Sequence, residues 1–343
     1  MIELPPKWVA EQRIRREREL VLLVNIRSRR GARHHRAVRA MLEGHGFAVT
    51  AEHLVHDPAA ELPALLPRIL AARPPLLVVG SGDGTIATVV DHLAHSETVL
   101  GYLPLGTTNN FGRSLGLPAR LRGAVEVIAS GKVADVDLGS VNGDLFANLV
   151  SIGVSAEVAG RTPQTLKRHL GRGAYAATGL RALVTHRPFV AEIGTAGTTW
   201  RVSTHQLNIA NGRMHAGTAI AADASVDDRL LIAYTLGGPG RLSTIYAAAH
   251  QALTPWQPVQ RKGYLTGSEF HVTTDVPQLV DVDGEIAART PIHVTLSANA
   301  LRVLVPLDFV DDEMPGRPEV SRLSDTCSGR MRSGERAGPH SSS

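Results

Sequence analysis

Apolar residues follow two rhythms along the chain. Up to about residue 134, short solid apolar runs alternate with stretches whose apolar positions recur every three to four residues. Solid runs suit strands buried on both faces, and the second rhythm suits amphipathic helices. In order, residues 1–19 predict an added helix, Val21–Ile26 a strand and His35–Gly44 a helix ended by Gly44 and Gly46. Val49–Val55 predicts a strand, Leu62–Ala72 a helix, Leu76–Val79 a strand and Ile86–His95 a helix. Val99–Leu103 predicts a strand, and Leu121–Ser130 a helix closed by Gly131. This alternation predicts a doubly wound parallel α/β domain.

After Val133 the rhythm becomes apolar–polar alternation. It marks Asp135–Val141, Leu145–Val154, Phe189–Thr195, Thr199–Asn211, Leu230–Leu236, Glu269–Thr274, Leu279–Val282 and Pro291–Leu296 as strands. Gly, Asp and Pro punctuate them, as in an antiparallel β-sandwich. Thr165–Thr185 and Gly240–Leu253 are helical interruptions. From Asp311, Ser, Gly, Arg and Pro take over, which predicts a disordered tail over 311–343.

Two strand ends carry unusual chemistry. Leu76–Val79 runs into Gly80-Ser81-Gly82-Asp83-Gly84-Thr85. Glycines at 80, 82 and 84 bring bare N–H groups close to a ligand, and the following helix adds its positive end, which makes a phosphate cradle. Asp83 inside such a cradle points to Mg²⁺-dependent phosphoryl transfer more than passive binding; the alternative is a carboxylate capping a helix. Val99–Leu103 runs into Pro104-Leu105-Gly106-Thr107-Thr108-Asn109-Asn110-Phe111-Gly112-Arg113-Ser114-Leu115-Gly116. Its hydroxyls and amides can hold phosphate or nucleotide oxygens, or the stretch is a polar turn with Asn as a cap. Neighbouring parallel strands would open both loops on the ligand-binding edge of the sheet.

These segments resemble the diacylglycerol kinase catalytic-domain family, which includes bacterial soluble lipid kinases and sphingosine kinases. Asn25-Ile26-Arg27-Ser28-Arg29-Arg30-Gly31 is similar to its first nucleotide loop, and Gly80–Thr85 to its Gly-Gly-Asp-Gly-Thr motif. Pro104–Gly116 is similar to its Pro-Leu-Gly-Thr-x-Asn-Asp-Phe-Ala-Arg segment. Asn211-Gly212-Arg213 with Gly217, and Asp283-Gly284-Glu285, are similar to its second-domain motifs. Five motifs hold their order over roughly residues 20–310.

The resemblance implies a nucleotide-binding α/β domain (20–134 plus 299–310, with Ala300–Pro306 returning to it). A lipid-substrate sandwich (135–298) follows, with the active site in the cleft between the two. It implies ATP and Mg²⁺ as cofactors and transfer of the γ-phosphate to a hydroxyl of diacylglycerol or a related lipid alcohol. Glu285 would be the general base, and Asp83 would hold Mg²⁺ through water or orient the hydroxyl. Asn25, Ser28, Arg29, Gly80, Gly82, Gly84, Thr85, Gly106, Thr107, Asn109 and Asn110 would form the nucleotide site, with Thr85 also capping its helix. Asp228 and the Leu230 carbonyl would hold a structural metal. Asn110 stands where the family usually has Asp, and Arg229 and Ile232 replace a Gly and an Asp of the metal segment. Two other readings stay open: a nucleotide-binding protein of this fold without catalysis, and a kinase of a soluble acceptor such as NAD.

Charge and composition narrow the setting. The 343 residues are 43% hydrophobic and 20% charged, with a net charge of +4. Residues 1–40 hold eleven Lys/Arg against four Glu, so the remainder is net acidic. That basic end suits an anionic membrane surface, where the lipid substrate resides. Few aromatics accompany it, so nucleic acid is not expected as a partner; a homodimer is allowed for. No run approaches the roughly 18 apolar residues of a membrane span, and Met1–Leu20 is charged throughout, unlike a secretory leader. The single Cys327 forms no intrachain disulfide, so the cytoplasm, with peripheral membrane visits, is the expected location. The fifteen His residues match no zinc spacing in sequence.

Overall fold

The structure, a computed structural model, describes residues 5–161, 186–212, 214–215, 218–219, 226–238, 240, 242–245, 264–310 and 331–333. The first half alternates as its apolar pattern predicts: α1 (Lys7–Glu17), β1 (Glu19–Asn25), α2 (Gly31–Gly44), β2 (Ala48–Val55), α3 (Pro58–Ala71), β3 (Leu76–Ser81), α4 (Asp83–Leu93), β4 (Val99–Pro104), α5 (Asn110–Ser114) and α6 (Leu121–Ser130). The four strands pair in parallel in the order β4-β3-β1-β2. β3 and β4 are buried at every position, because helices cover both faces of the sheet.

Three helices start earlier than their apolar periodicity, and each start has a local cause. α2 begins at Gly31, where any Cβ would collide with the Asn25 carbonyl. α3 begins at Pro58, whose missing N–H costs nothing in a first turn. The Glu61 carboxylate accepts from the N–H groups of His56 and Asp57 at 2.9 and 2.6 Å. α4 begins at Asp83 with Gly82 as its N-cap, so the second half of the glycine loop is already helix. Thr85 therefore does not cap α4. It lies in the first turn, buried, and its Oγ1 accepts from Asn25 Nδ2 at 2.8 Å.

The second half comprises β5 (Lys132–Val141), β6 (Asp144–Phe146), β7 (Leu149–Gly153), α7 (Val154–Arg161), β8 (Phe189–Thr195), β9 (Thr198–Thr204), β10 (Gln206–Asn211), β11 (Met214–His215), β12 (Thr218–Ala219), β13 (Leu231–Thr235), β14 (Tyr264–Gly267), β15 (Glu269–Thr274), β16 (Leu279–Val282), β17 (Glu285–Arg289), β18 (Ile292–Val305) and β19 (Met331–Ser333). One sheet runs β14-β13-β10-β7-β16-β17, all antiparallel. It packs across Val150, Ile152, Leu207, Ile209 and Val280 onto Phe189, Ile193, Trp200, Phe270 and Val294 of the facing sheet.

That facing sheet is continuous with the parallel one. β18 pairs antiparallel with β15 near its start and with β5 along its length, from Val294↔Val141 to Val305↔Lys132, and parallel with β4 at Val303↔Leu100 near its end. The predicted strand at 291–296 and the predicted return at 300–306 are thus one strand with an irregularity between Ser297 and Leu301. β5 and β18 cross the proposed boundaries at 134/135 and 298/299, and they tie the two domains together.

Two runs predicted as single strands are broken. Thr199–Asn211 turns a corner at His205 and divides between the two sheets as β9 and β10. Leu145–Val154 is interrupted at Ala147–Asn148. β14 and β17 carried too little alternation to be read; β17 is mostly exposed edge. Of 311–343, only Met331–Ser333 lies among the described residues, and it pairs with β9. The helical stretch at 165–185 lies outside the described residues, as does most of 240–253.

Candidate active site

Three loops leave the same edge of the parallel sheet, and the chain bonds them into one surface. Asn25, at the end of β1, donates to Thr85 in α4 and accepts from Arg27 N–H through Oδ1 at 2.9 Å. Arg30 N–H donates to the Leu105 carbonyl at 3.1 Å, and Leu105 N–H to the Ser81 carbonyl at 2.8 Å. Gly82 and Gly106 touch backbone to backbone: a Cβ on Gly106 would lie 2.6 Å from the Gly82 Cα. Side chains at either position would push the loops apart.

Asp83 is the charged centre of this surface. Its Oδ2 accepts from Thr108 Oγ1 at 2.8 Å and its Oδ1 from Phe111 N–H at 3.2 Å. It caps α5, across the gap between loops, rather than its own helix. Two oxygens offer about four acceptor sites, so two accepted bonds leave room for more. Gly84 beside it has nothing within 4 Å of a would-be Cβ, so this part of the loop is open.

The second domain brings an acidic hairpin. Asp283 and Gly284 both have positive φ, 48° and 101°, the two-residue turn that Asp-Gly favours between twisted strands. Asp281 accepts from Gly284 N–H at 2.7 Å. The half-buried Asp283 carboxylate accepts from three backbone N–H groups: Ala147 at 2.7 Å, Leu149 at 2.9 Å and Asn148 at 3.1 Å. Those three donors are why Leu145–Val154 breaks into two strands. Burial pushes the Asp283 carboxyl up to about 6; the three N–H groups oppose that shift, and the negative charge of Asp83 adds to it. Asp283 thus lies within electrostatic reach of Asp83. Glu285 follows at once, exposed, opposite Val282 in register.

The expected site residues divide by role. Asp83, Gly82, Gly84, Thr85, Gly106 and Asn25 lie on the bonded loop surface. Thr107 and Arg29 are exposed there, and Asn110 opens α5. Gly80 sits inside β3, where a Cβ would press on Leu105 at 2.9 Å, so it serves packing rather than a cradle. Ser28 donates its hydroxyl to the Asn25 carbonyl at 2.7 Å. Asn109 turns inward: its Oδ1 accepts from Gly106 N–H at 2.8 Å, and its left-handed backbone (φ 49°) shapes the loop. Leu230 N–H donates to Asp228 Oδ1 at 3.0 Å. Beside them Asp137 accepts from Arg229 N–H and Asn299 N–H, and the Arg229 guanidinium supplies positive charge to it. Sequence reading gave Thr108 and Asp283 no site role of their own. Both stood inside noted motifs, but only the fold reveals which hydroxyl meets Asp83 and which carboxylate holds the turn.

Asp283→Asn tests the hairpin. An amide has one acceptor oxygen for three converging N–H groups, so at least one is orphaned, at a cost of about 1–3 kcal/mol. The folded carboxyl lies above its ordinary 3.8. The stability it contributes is therefore present below about pH 4 and lost as pH rises through about 6. Thermal melts across pH 4–7 should show a lower Tm for the variant and a flatter decline over that window.

A parallel α/β domain with a bonded glycine-loop edge, followed by a sandwich domain carrying an acidic hairpin, is the architecture against which known proteins are compared. Residues 19–141 match the "Diacylglycerol kinase catalytic domain" and residues 148–305 the "YegS C-terminal NAD kinase beta sandwich-like domain". A "Probable lipid kinase YegS-like" from Pseudomonas aeruginosa PAO1 is 32% identical over 251 residues, covering 69% of this chain and 78% of the relative. A "Diacylglycerol kinase" from Staphylococcus epidermidis is 27% identical over 255 residues, covering 72% and 79%. The fold is shared with a crystal structure of a diacylglycerol kinase from Bacillus anthracis: TM-score 0.69, 21% identity, 85% of this chain and 98% of that one. The chain belongs to the diacylglycerol kinase catalytic-domain family of lipid kinases.

Proposed function

We propose that this chain transfers the γ-phosphate of ATP, with Mg²⁺, to a hydroxyl of diacylglycerol or a related lipid alcohol, in the cleft between loop edge and hairpin. The observation that carries the reading is the convergence of Asp83 and the Asp283–Glu285 turn from two domains. The residues suit a magnesium nucleotide. The Asp83 carboxylate is held in place with acceptor capacity to spare, the first turn of α4 offers N–H groups, and Gly84 leaves the approach open. Bound Mg²⁺ would neutralise charge between the phosphates. Thr108 and Phe111 N–H fix the orientation of Asp83. Asn25 and Thr85 lock the first loop to α4, so little reorganisation is needed when the phosphates arrive. Glu285, exposed at the start of β17, accepts the proton of the attacking hydroxyl.

An acceptor panel tests this reading. Purified protein with γ-labelled ATP and Mg²⁺ is offered diacylglycerol in mixed micelles, sphingosine, NAD, or no acceptor. Label in extracted lipid supports the proposal. Label in NADP alone favours the soluble-acceptor reading, and no label anywhere favours nucleotide binding without transfer.

Membrane visits belong to the same proposal. No helix among the described residues is long and apolar enough to cross a bilayer. In the basic N-terminal stretch, Arg13 and Arg16 pair with Glu17, Arg15 with Glu11, and Arg39 with Glu43 and Glu52. Arg27, Arg29, Arg33 and Arg36 are exposed and have no carboxylate partner among the described residues, and they flank the first loop at the cleft mouth. Each basic residue near an anionic surface adds roughly 1 kcal/mol. Arg33→Glu with Arg36→Glu should therefore weaken sedimentation with anionic vesicles by at least tenfold, and deletion of 1–18 should weaken it less. Equal binding of both proteins to neutral and anionic vesicles would remove the electrostatic contribution.

A further inference from the structure

On the outer face of the sandwich, remote in sequence from the loops of the cleft, β15 and β18 bring three metal-binding side chains together. Glu269 and His271 are two apart on β15 and share its exposed face, with Phe270 turned into the core between them. His293 on β18 is the direct cross-strand partner of His271. Both imidazoles point Nε2 at one carboxylate oxygen, Glu269 Oε1, from 3.1 Å (His271) and 2.7 Å (His293). The rings lie parallel, 4.3 Å between centroids. One ligand atom from each of the three residues lies within 4.8 Å of the others.

We propose that Glu269, His271 and His293 form a binding site for a borderline divalent transition ion such as Zn²⁺. Such ions take imidazole nitrogen and carboxylate oxygen at about 2.0–2.2 Å, so neighbouring ligands of a tetrahedral site lie roughly 3.3–3.5 Å apart. Both Glu–His separations, 3.1 and 2.7 Å, fall a few tenths of an ångström short of that spacing, as hydrogen-bonded pairs do, so a small outward movement of each ring admits an ion. The imidazoles must tilt out of their stack to share an ion. Both are exposed, and a change of side-chain torsion suffices. The backbone beneath is fixed: His293 N–H donates to Asn142 Oδ1 at 3.0 Å, and Asn142 N–H donates to the His293 carbonyl at 3.0 Å. On the far side His271 faces Gly194 of β8, where a Cβ would meet nothing closer than 3.9 Å, so water can complete the coordination. Two nitrogens and one oxygen select Zn²⁺, Cu²⁺, Ni²⁺ or Co²⁺ over the oxygen-seeking Mg²⁺. An ion here would clip β15 to β18, the strand common to both domains, and would favour the folded chain by linkage.

The test is calorimetric titration of untagged full-length protein with ZnCl₂ in a non-chelating buffer. One equivalent is expected to bind, with a rise in Tm. His271→Ala and His293→Ala should each weaken that step at least tenfold, while His34→Ala with His35→Ala leaves it intact. Phosphate transfer by the His variants should match wild type. Co²⁺ gives a second readout, a visible absorption band in wild type that is absent from both variants. The proposal is overturned if Zn²⁺ does not bind at up to 1 mM, or if wild type and both variants bind with equal affinity. Either result would leave the cluster as a hydrogen-bonded surface group.

Discussion

Replacing Glu285 by Gln is expected to lower phosphate transfer by about 10²–10⁴-fold, the usual contribution of a positioned base, while ATP affinity stays within about threefold. Gln keeps the size of the side chain and removes its ability to take a proton. Glu285 is exposed and stands at the first position of an edge strand, so the fold loses little from the change. The effect should fall on kcat and kcat/KM together, as for an interaction made only in the transition state. Activity within tenfold of wild type, about 1.4 kcal/mol of barrier, would remove Glu285 from the chemistry. An equal loss of ATP binding would recast it as a binding group.

The second large effect is expected at Asp83. Asp83→Asn keeps one oxygen for the Thr108 hydroxyl or the Phe111 N–H and removes the charge that, in the proposed function, faces the magnesium nucleotide. Transfer should fall at least 10²-fold, and the Mg²⁺ concentration for half-maximal rate should rise. Thr108→Val separates charge from orientation: it deletes one hydrogen bond to Asp83 and leaves the carboxylate. Its loss should be nearer tenfold, with Mg²⁺ dependence little changed. If Asp83→Asn has normal turnover and normal Mg²⁺ dependence, Asp83 is only the cap of α5. If the two variants are equally impaired, geometry rather than charge governs the site.

Much of the parallel domain was legible because its strands are solid apolar runs and its helices carry a clear period. The largest differences were at helix starts. At Gly31, Pro58 and Asp83 the first turns are set by a close backbone approach, a proline and a glycine cap, none of which carries hydrophobic period. The sandwich was legible as a class but not as a connectivity. A corner such as His205 continues the alternating pattern while the chain changes sheets, and β18 reads as two strands because its bend interrupts the pattern at 297–301. Within the site, the glycines and acids stood out in order along the chain. Their partners did not: that Asp83 bonds Thr108 rather than Thr107, that Asn109 faces its own loop, and that Asp283 holds 147–149 are facts of three-dimensional register. The Glu269–His271–His293 cluster shows the same limit, since cross-strand ligands leave no spacing to recognise.

Amide hydrogen exchange with and without ATP and Mg²⁺ tests most directly whether nucleotide is handled at this edge. Protection is predicted at 25–31, 82–86 and 105–111, with a smaller change at 283–285 and none across β8, β9 and β15. Protection confined to other segments, or none at saturating ATP and Mg²⁺, would contradict a nucleotide site between these loops and the hairpin.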